Sequence, residues 1–331
     1  MPPLILPFSM RRRRLAAAIA SLVVARPAAA QQAPAPTSIT LIVPAARGGS
    51  ADALGRLVAD GLAGIMEIPF RVVNVEGNGG VTGTTAITAA TRDGSVLGLA
   101  ISSPMIGGKL LSRGAQFNPT EDFDWLGIFG TYPNAMVLSS RSNHAGIEEW
   151  LAAARQANPP MTCGIAGTGS AGHLAAAYLR FEQKARLTHV TLDAMEDGYA
   201  RLRDGTLDII FDGVPSAIVN APRTAQRIIA VTSMTRVPTL LEVPSFGELW
   251  RQSFEVWIGL VAPKGLPPTA FARVASAVGV LFAEPRFADG MRTSGLKFLG
   301  LSGTATKAFV EADFLRNAKL IAKLSEEGLR P

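Results

Sequence analysis

Cysteine is nearly missing from this 331-residue chain. Cys163 stands alone, which excludes an internal disulfide and a cysteine-rich zinc site. Histidine is almost as scarce. His144, His173 and His189 are widely spaced and form no HExxH-type pair, so no metal centre and no metal cofactor are expected. Charged residues make up 18% and aromatics 7%, against 48% hydrophobic residues; this balance excludes intrinsic disorder. No apolar run reaches the about 20 residues that a membrane span needs.

The formal charge of +6 suggests a nucleic-acid partner, but its distribution argues against one. Arg11, Arg12, Arg13, Arg14 and Arg26 all lie in the first thirty residues, which hold no acid. Removing those five of 32 leaves 27 basic against 26 acidic residues, with no basic stripe interleaved with aromatics.

The same thirty residues read as an export signal. Arg11–Arg14 form a positive region, Leu15–Ala25 an apolar run of eleven residues, and Ala28-Ala29-Ala30 a small-residue cleavage site. The expected mature chain begins at Gln31, with 31–38 a flexible leader, and is exported to the periplasm. Arg13-Arg14-Leu15 leaves a twin-arginine route open.

Length suggests two domains. Ile39–Val43, Phe70–Val75 and Val96–Ile101 read as short buried strands, separated by helical stretches at 51–66 and from the glycine loop at 77–80 to about Thr91. The pattern returns later. Strands are expected at 161–166, 187–192, 207–211, 227–232 and 256–262. Helices are expected at 147–157, 170–185, 198–204, 268–281 and 305–324. Alternating strands and helices indicate an α/β protein with parallel sheet.

Two loops stand out. Ala45-Ala46-Arg47-Gly48-Gly49-Ser50 leads from a strand into a helix, where unpaired N–H groups and the helix dipole attract anions. Ser50 or Asp52 there reads equally as an ordinary helix cap. Gly167-Thr168-Gly169-Ser170-Ala171-Gly172 is a literal GxGxxG between strand and helix, with Asp193 about 20 residues on, the pattern of a dinucleotide site. Export argues against a diffusible nicotinamide cofactor, and Ser170 and His173 add side chains where that loop prefers bare backbone. GxSxG is not formed, because position 168 is threonine. A third loop, Gly77-Asn78-Gly79-Gly80, lacks a P-loop lysine.

Taken together, several stretches resemble the Bug family, the extracytoplasmic solute-binding receptors of tripartite tricarboxylate transporters. They include Ile42-Val43-Pro44 through Gly48-Gly49-Ser50-Ala51-Asp52, Gly77 to Gly83, Gly164 to Ser170 with His173, Phe211-Asp212-Gly213-Val214-Pro215-Ser216-Ala217, and Trp257-Ile258-Gly259-Leu260. The resemblance spans about 39–325. It implies a two-lobed periplasmic binding protein, type II-like, with a small carboxylate in the cleft between lobes and a membrane permease as partner. It assigns ligand contact to Ala46, Gly48, Gly49, Ser50 and Asp52, and to Thr168, Gly169, Ser170 and His173. Asp212 corresponds to an acidic cleft residue, and Ser102 and Ser103 lie where the third strand opens. Where the family carries Pro-Tyr-Lys/Arg-Gly, this chain has Thr191-Leu192-Asp193-Ala194, followed by Glu196 and Asp197. That places acid where the family has a base and favours an amino acid, amide or monocarboxylate over a tricarboxylate; residues 193–197 read equally as a solvated surface turn and helix cap.

The expected organisation is one lobe of 39–140 plus 256–331 and another of 141–255, hinged near Ser140 and Phe254. The chain is expected to be a monomer with no catalytic residues, no cofactor and no nucleic-acid partner. The alternatives are a nucleotide-dependent oxidoreductase built on Gly167–Gly172, and a periplasmic ligand carrier serving a signalling protein.

Overall fold

The computed structural model describes residues 36–112 and 114–326. The expected signal peptide at 1–30 and most of the 31–38 leader lie outside them.

Five-residue β-branched runs make the first strands. β1 (Ile39–Val43) alternates buried and half-buried positions, and Pro44, lacking an N–H, follows its end. It is followed by α1 (Ser50–Met66), whose Ala51, Leu54, Val58 and Leu62 are buried at helical spacing. Then come β2 (Phe70–Asn74), α2 (Val81–Thr88) and β3 (Val96–Ile101). β1 pairs in parallel with both β2 and β3. A short π-helical segment, Ser103–Gly108, leaves β3.

The longest strand, β4 (Phe123–Leu138), has no counterpart in the sequence reading. Gly127, Gly130 and Pro133 interrupt its apolar run, and these residues normally mark turns. Here they serve packing. A Cβ on Gly130 would lie 2.3 Å from the carbonyl oxygen of Lys297, on a strand crossing close by.

After β4 the strand–helix build resumes with α3 (Ile147–Gln156), β5 (Met161–Ile165), α4 (Ala171–Phe181), β6 (Leu187–Thr191), α5 (Met195–Asp204) and β7 (Ile209–Gly213). α6 (Val214–Arg223), β8 (Arg227–Val231), α7 (Phe246–Trp250) and β9 (Glu255–Pro263) follow. The chain closes with α8 (Pro268–Ala283), α9 (Pro285–Thr293), β10 (Lys297–Leu301) and α10 (Thr304–Glu326).

The sheet runs β2-β1-β3-β9-β4-β7-β5-β6, with β8 and β10 also on β4. It is mixed, not wholly parallel. β9 runs antiparallel to β3 and β4, and β4 runs antiparallel to β7, β8 and β10. β4 therefore belongs to two half-sheets. Residues up to Pro133 pair with β9, whereas Asn134–Leu138 pair with β7. The change of partners thus precedes Ser140. Thr232 ties this crossing to the returning one. Its hydroxyl accepts the Asn134 N–H at 2.8 Å and donates to the Phe254 carbonyl at 2.6 Å.

The second half has an aromatic core around fully buried Phe246, whose ring lies 4.7 Å from Trp250 and within 6.5 Å of Tyr178, Phe211 and Phe254. A capping box between Ser245 and Glu248 starts the helix that carries it. Replacing Phe246 by alanine removes this shared ring. The expected cost is about 3–5 kcal/mol, read as a lowered urea midpoint; a change within error would show that the cluster does not hold this half together.

Candidate functional site

A cavity of about 660 Å³ lies where the strand ends of the two half-sheets face each other. The first half supplies the β1–α1 loop, from Pro44 to Ala51, the 76–80 loop and Ser103. The second half supplies Ala166, Gly167, Thr168 and Ser170 to Gly172, the segment from Thr191 to Glu196, and Asp212, Gly213 and Ser216. A more open hollow of about 850 Å³ lies on the second half alone, around Gly146, Arg227 and Arg236. It lacks both glycine loops, so the smaller cavity is the candidate site.

Backbone meets backbone at the edge of this cavity. A Cβ on Gly107 would sit 1.8 Å from the Gly169 carbonyl oxygen, and one on Gly167 would sit 2.9 Å from the Gly79 Cα. Such approach is open only to glycine. Ser50 adds a side-chain tie: its hydroxyl donates to the Gly213 carbonyl at 3.3 Å and accepts the Ser216 N–H at 3.1 Å. The start of α1 in one half is thereby pinned to the start of α6 in the other.

Of the residues expected at the ligand, the structure brings Ala46, Gly48, Gly49, Ser50, Ser103, Thr168, Ser170, Asp193 and Asp212 to the cavity wall. Asp52, Ser102, Gly169 and His173 do not line it, and each has a different task. The Asp52 carboxylate accepts from the Gly48 N–H, Asn74 Nδ2 and the Arg56 guanidinium at about 3 Å. Burial works to raise its pKa, but these partners hold it below the ordinary carboxylate value. Asp52 thus anchors the first loop from behind. Ser102 accepts the Trp257 N–H at 3.1 Å and joins β3 to β9. Gly169 is covered by Gly107, and its N–H donates to His173 Nδ1 at 3.0 Å.

His173 is a support for the second loop. Burial, with a smaller electrostatic contribution from the neighbouring, tilted ring of His189, lowers its pKa to about 4. The ring is therefore neutral at neutral pH, and Nδ1 stays an acceptor for Gly169. Ser170 caps α4 by accepting the His173 N–H at 3.1 Å. The serine hydroxyl meets the histidine backbone, not its ring, so the pair is not a nucleophile and base.

The inner wall holds residues that the sequence reading passed over: Tyr132, Asn134, Ser216 and Val256. Asn134 is 6% exposed, and its Nδ2 finds no hydrogen-bond partner among the described residues. Only the β4 register puts it here, and β4 was not legible. Asp212 beside it is buried. Burial raises its pKa to about 6, against the pull of hydrogen bonds from Ser216, Tyr199 and the Gly213 N–H. Tyr199 donates to its Oδ2 at 2.9 Å. Among the described residues no group of three or more His, Cys, Asp or Glu side chains could hold a metal ion.

The chain matches the model of the TctC family, tripartite tricarboxylate transporter family receptors, over residues 54–325. It is 28% identical over 317 residues to the UPF0065 protein in the tcbD-tcbE intergenic region of Pseudomonas sp. (strain P51), covering 94% of each chain. Its fold is similar to the periplasmic binding protein BugD, with a TM-score of 0.80 and 24% identity, over 87% of this chain and 97% of that one. It is also similar to R. palustris Rpa4515 with adipate, with a TM-score of 0.83 and 22% identity, over 88% and 98%. The oxidoreductase alternative is corrected by the family match and by the packing of Gly107 over the glycine whose bare backbone a dinucleotide would need. The chain belongs to the TctC, or Bug, family of tripartite tricarboxylate transporter receptors, and it is a two-lobed α/β solute-binding protein, not an enzyme.

Proposed function

We propose that this protein is a periplasmic receptor that closes its two halves around a small carboxylate and delivers it to the membrane component of a tripartite transporter. The observation that carries this reading is the pair of helix starts, α1 and α4, that face one cavity from opposite halves. The first N–H groups of a helix have no partner within it, and the dipole adds positive potential there. Gly49 caps α1 with no side-chain bond of its own. A carboxylate has lone pairs enough to take N–H groups from both loops. The adipate bound by a protein of the same fold supports a ligand of this class.

The contacts assigned to the ligand are the backbone around Ala46, Gly48, Gly49 and Ser50, together with Thr168 and Ser170. The hydroxyls of Ser50 and Ser170 are already engaged, as are the Gly48 N–H, by Asp52, and the Ser170 N–H, by the Gly167 carbonyl at 3.1 Å, so the N–H groups of Gly49, Ser50 and Thr168 carry the role. A ligand touching both halves binds the closed arrangement better than the open one and shifts the population towards it. The hinge in this reading is the pair of crossings near Pro133–Asn134 and Thr232–Phe254. Residues 1–30 deliver the chain to the periplasm and are removed.

Mass spectrometry of the exported protein tests this directly. The denatured chain should have the mass of residues 31–331, and the native protein should carry a small carboxylic acid released on denaturation. A released nicotinamide dinucleotide would contradict it. Gly107→Ala tests closure. Overpacking costs about 1–3 kcal/mol, charged only to the closed state, so ligand affinity should fall about 5- to 150-fold with an unchanged urea midpoint. Unchanged affinity by calorimetry would remove this contact from the mechanism.

A further inference from the structure

The inner wall of the cavity holds two polar side chains that the fold does not use. Tyr132 and Asn134 lie two residues apart on β4, so they share a face of the strand, and both line the cavity. Each is almost fully buried, at 5% and 6% exposed. Asn134 Nδ2 has no partner among the described residues. The Tyr132 hydroxyl forms no hydrogen bond among them either. The backbone here is fixed independently: the Asn134 N–H donates to Thr232 Oγ1 and its carbonyl accepts the Thr232 N–H, both at 2.8 Å. Glycine makes room for the pair. Asn134 sits opposite Gly213 on β7, and a Cβ on that glycine would lie 2.8 Å from the Tyr132 ring and 2.5 Å from Ser50 Oγ. The patch therefore adjoins the start of α1, where the receptor reading holds the carboxylate.

Buried donors left unpaired are costly, and a ligand oxygen set against them relieves that cost. We propose that Tyr132 and Asn134 read the ligand beyond its carboxylate and select an uncharged oxygen there, so that the solute is a hydroxy or oxo acid with one negative charge. The proposal rests on the receptor reading above and names the solute class of that same site. Both groups are neutral. Asparagine does not ionise, and burial, with the charge of Asp212, raises the Tyr132 pKa, so the phenol keeps its proton as a donor. A hydroxyl or carbonyl oxygen accepts from such donors and brings no charge. A methyl group leaves them unpaired. A second carboxylate also accepts from them, but it enters the field of Asp212 that the phenol already feels, where little water screens it. No cation on this wall offsets that field: Arg47, the one basic side chain among the described residues lining the cavity, is on the β1–α1 loop. An ammonium has no lone pair to offer Asn134 Nδ2.

Calorimetric titration at pH 8 tests the proposal with two sets of acids matched in length. One is butanoate, 4-hydroxybutanoate and succinate; the other is hexanoate, 6-hydroxyhexanoate and adipate. In at least one set the hydroxy acid should bind about ten-fold or more tighter than both the methyl-ended acid and the diacid. Tyr132→Phe and Asn134→Leu should each cut that margin at least about three-fold, through weaker binding of the hydroxy acid alone. Tyr132→Phe removes only an unpartnered hydroxyl, so its urea midpoint should not fall, and it decides the matter if Asn134→Leu does not fold. A smaller margin, a diacid that binds tightest, or a margin that a folded variant leaves intact overturns this inference and leaves the receptor reading standing. Binding of none of the six at millimolar concentration overturns both.

Discussion

The cavity depends on glycine backbone packed directly against glycine backbone. Gly107 against Gly169 and Gly79 against Gly167 let two half-sheets approach until their loops share one wall. A Cβ on Gly107, Gly167 or Gly169 would fall within 3 Å of backbone in the other half. Because the approach is so close, two helix starts that would each be a weak anion site become one site with two sides. Stability and function meet here. The residues that hold the loops, Asp52 beneath the first and His173 beneath the second, do not line the cavity; one carboxylate oxygen of Asp52 accepts the Gly48 N–H and Nδ1 of His173 accepts the Gly169 N–H.

Electrostatics divides the cavity into two regions. Helix N-termini supply positive potential without a basic side chain, so in the proposed reading a carboxylate can be held in a cavity whose charged side chains are mostly acidic. Asp212 is the innermost of them. Its raised pKa reports incomplete compensation for burial: Tyr199, Ser216 and the Gly213 N–H stabilise its charge, but not to the level of water. By contrast, Asp52 is ringed by Arg56, Asn74 and the Gly48 N–H and stays low. These two aspartates, one anchoring a loop and one facing the cavity, show how partners set the ionisation of the same side chain.

The short strands and the two strand–loop–helix starts were legible because burial and period are local signals. Ile39–Val43 and Val96–Ile101 needed nothing beyond their own residues. β4 was hidden by Gly127, Gly130 and Pro133; the two glycines make room for β10, which arrives from far along the chain. Since β4 was hidden, so was Asn134, whose place on the inner wall is a consequence of its register with β7. His173 was assigned to the ligand only by the family resemblance; a lone histidine one turn into a helix reads on its own as structural. Only the fold shows its ring turned back to Gly169. α5 begins at Met195, earlier than the expected 198, because Glu196 and Asp197 suit a helix start; this brings Glu196 to the cavity.

The claim that both loops grip one carboxylate is tested most directly by backbone amide resonances of ¹⁵N-labelled protein titrated with adipate. The account predicts that Gly49 and Ser50 in one half, and Thr168 to Ala171 in the other, shift together along a single saturation curve. Shifts confined to one loop, or centred on Arg227 and Arg236 at the outer hollow, would contradict it.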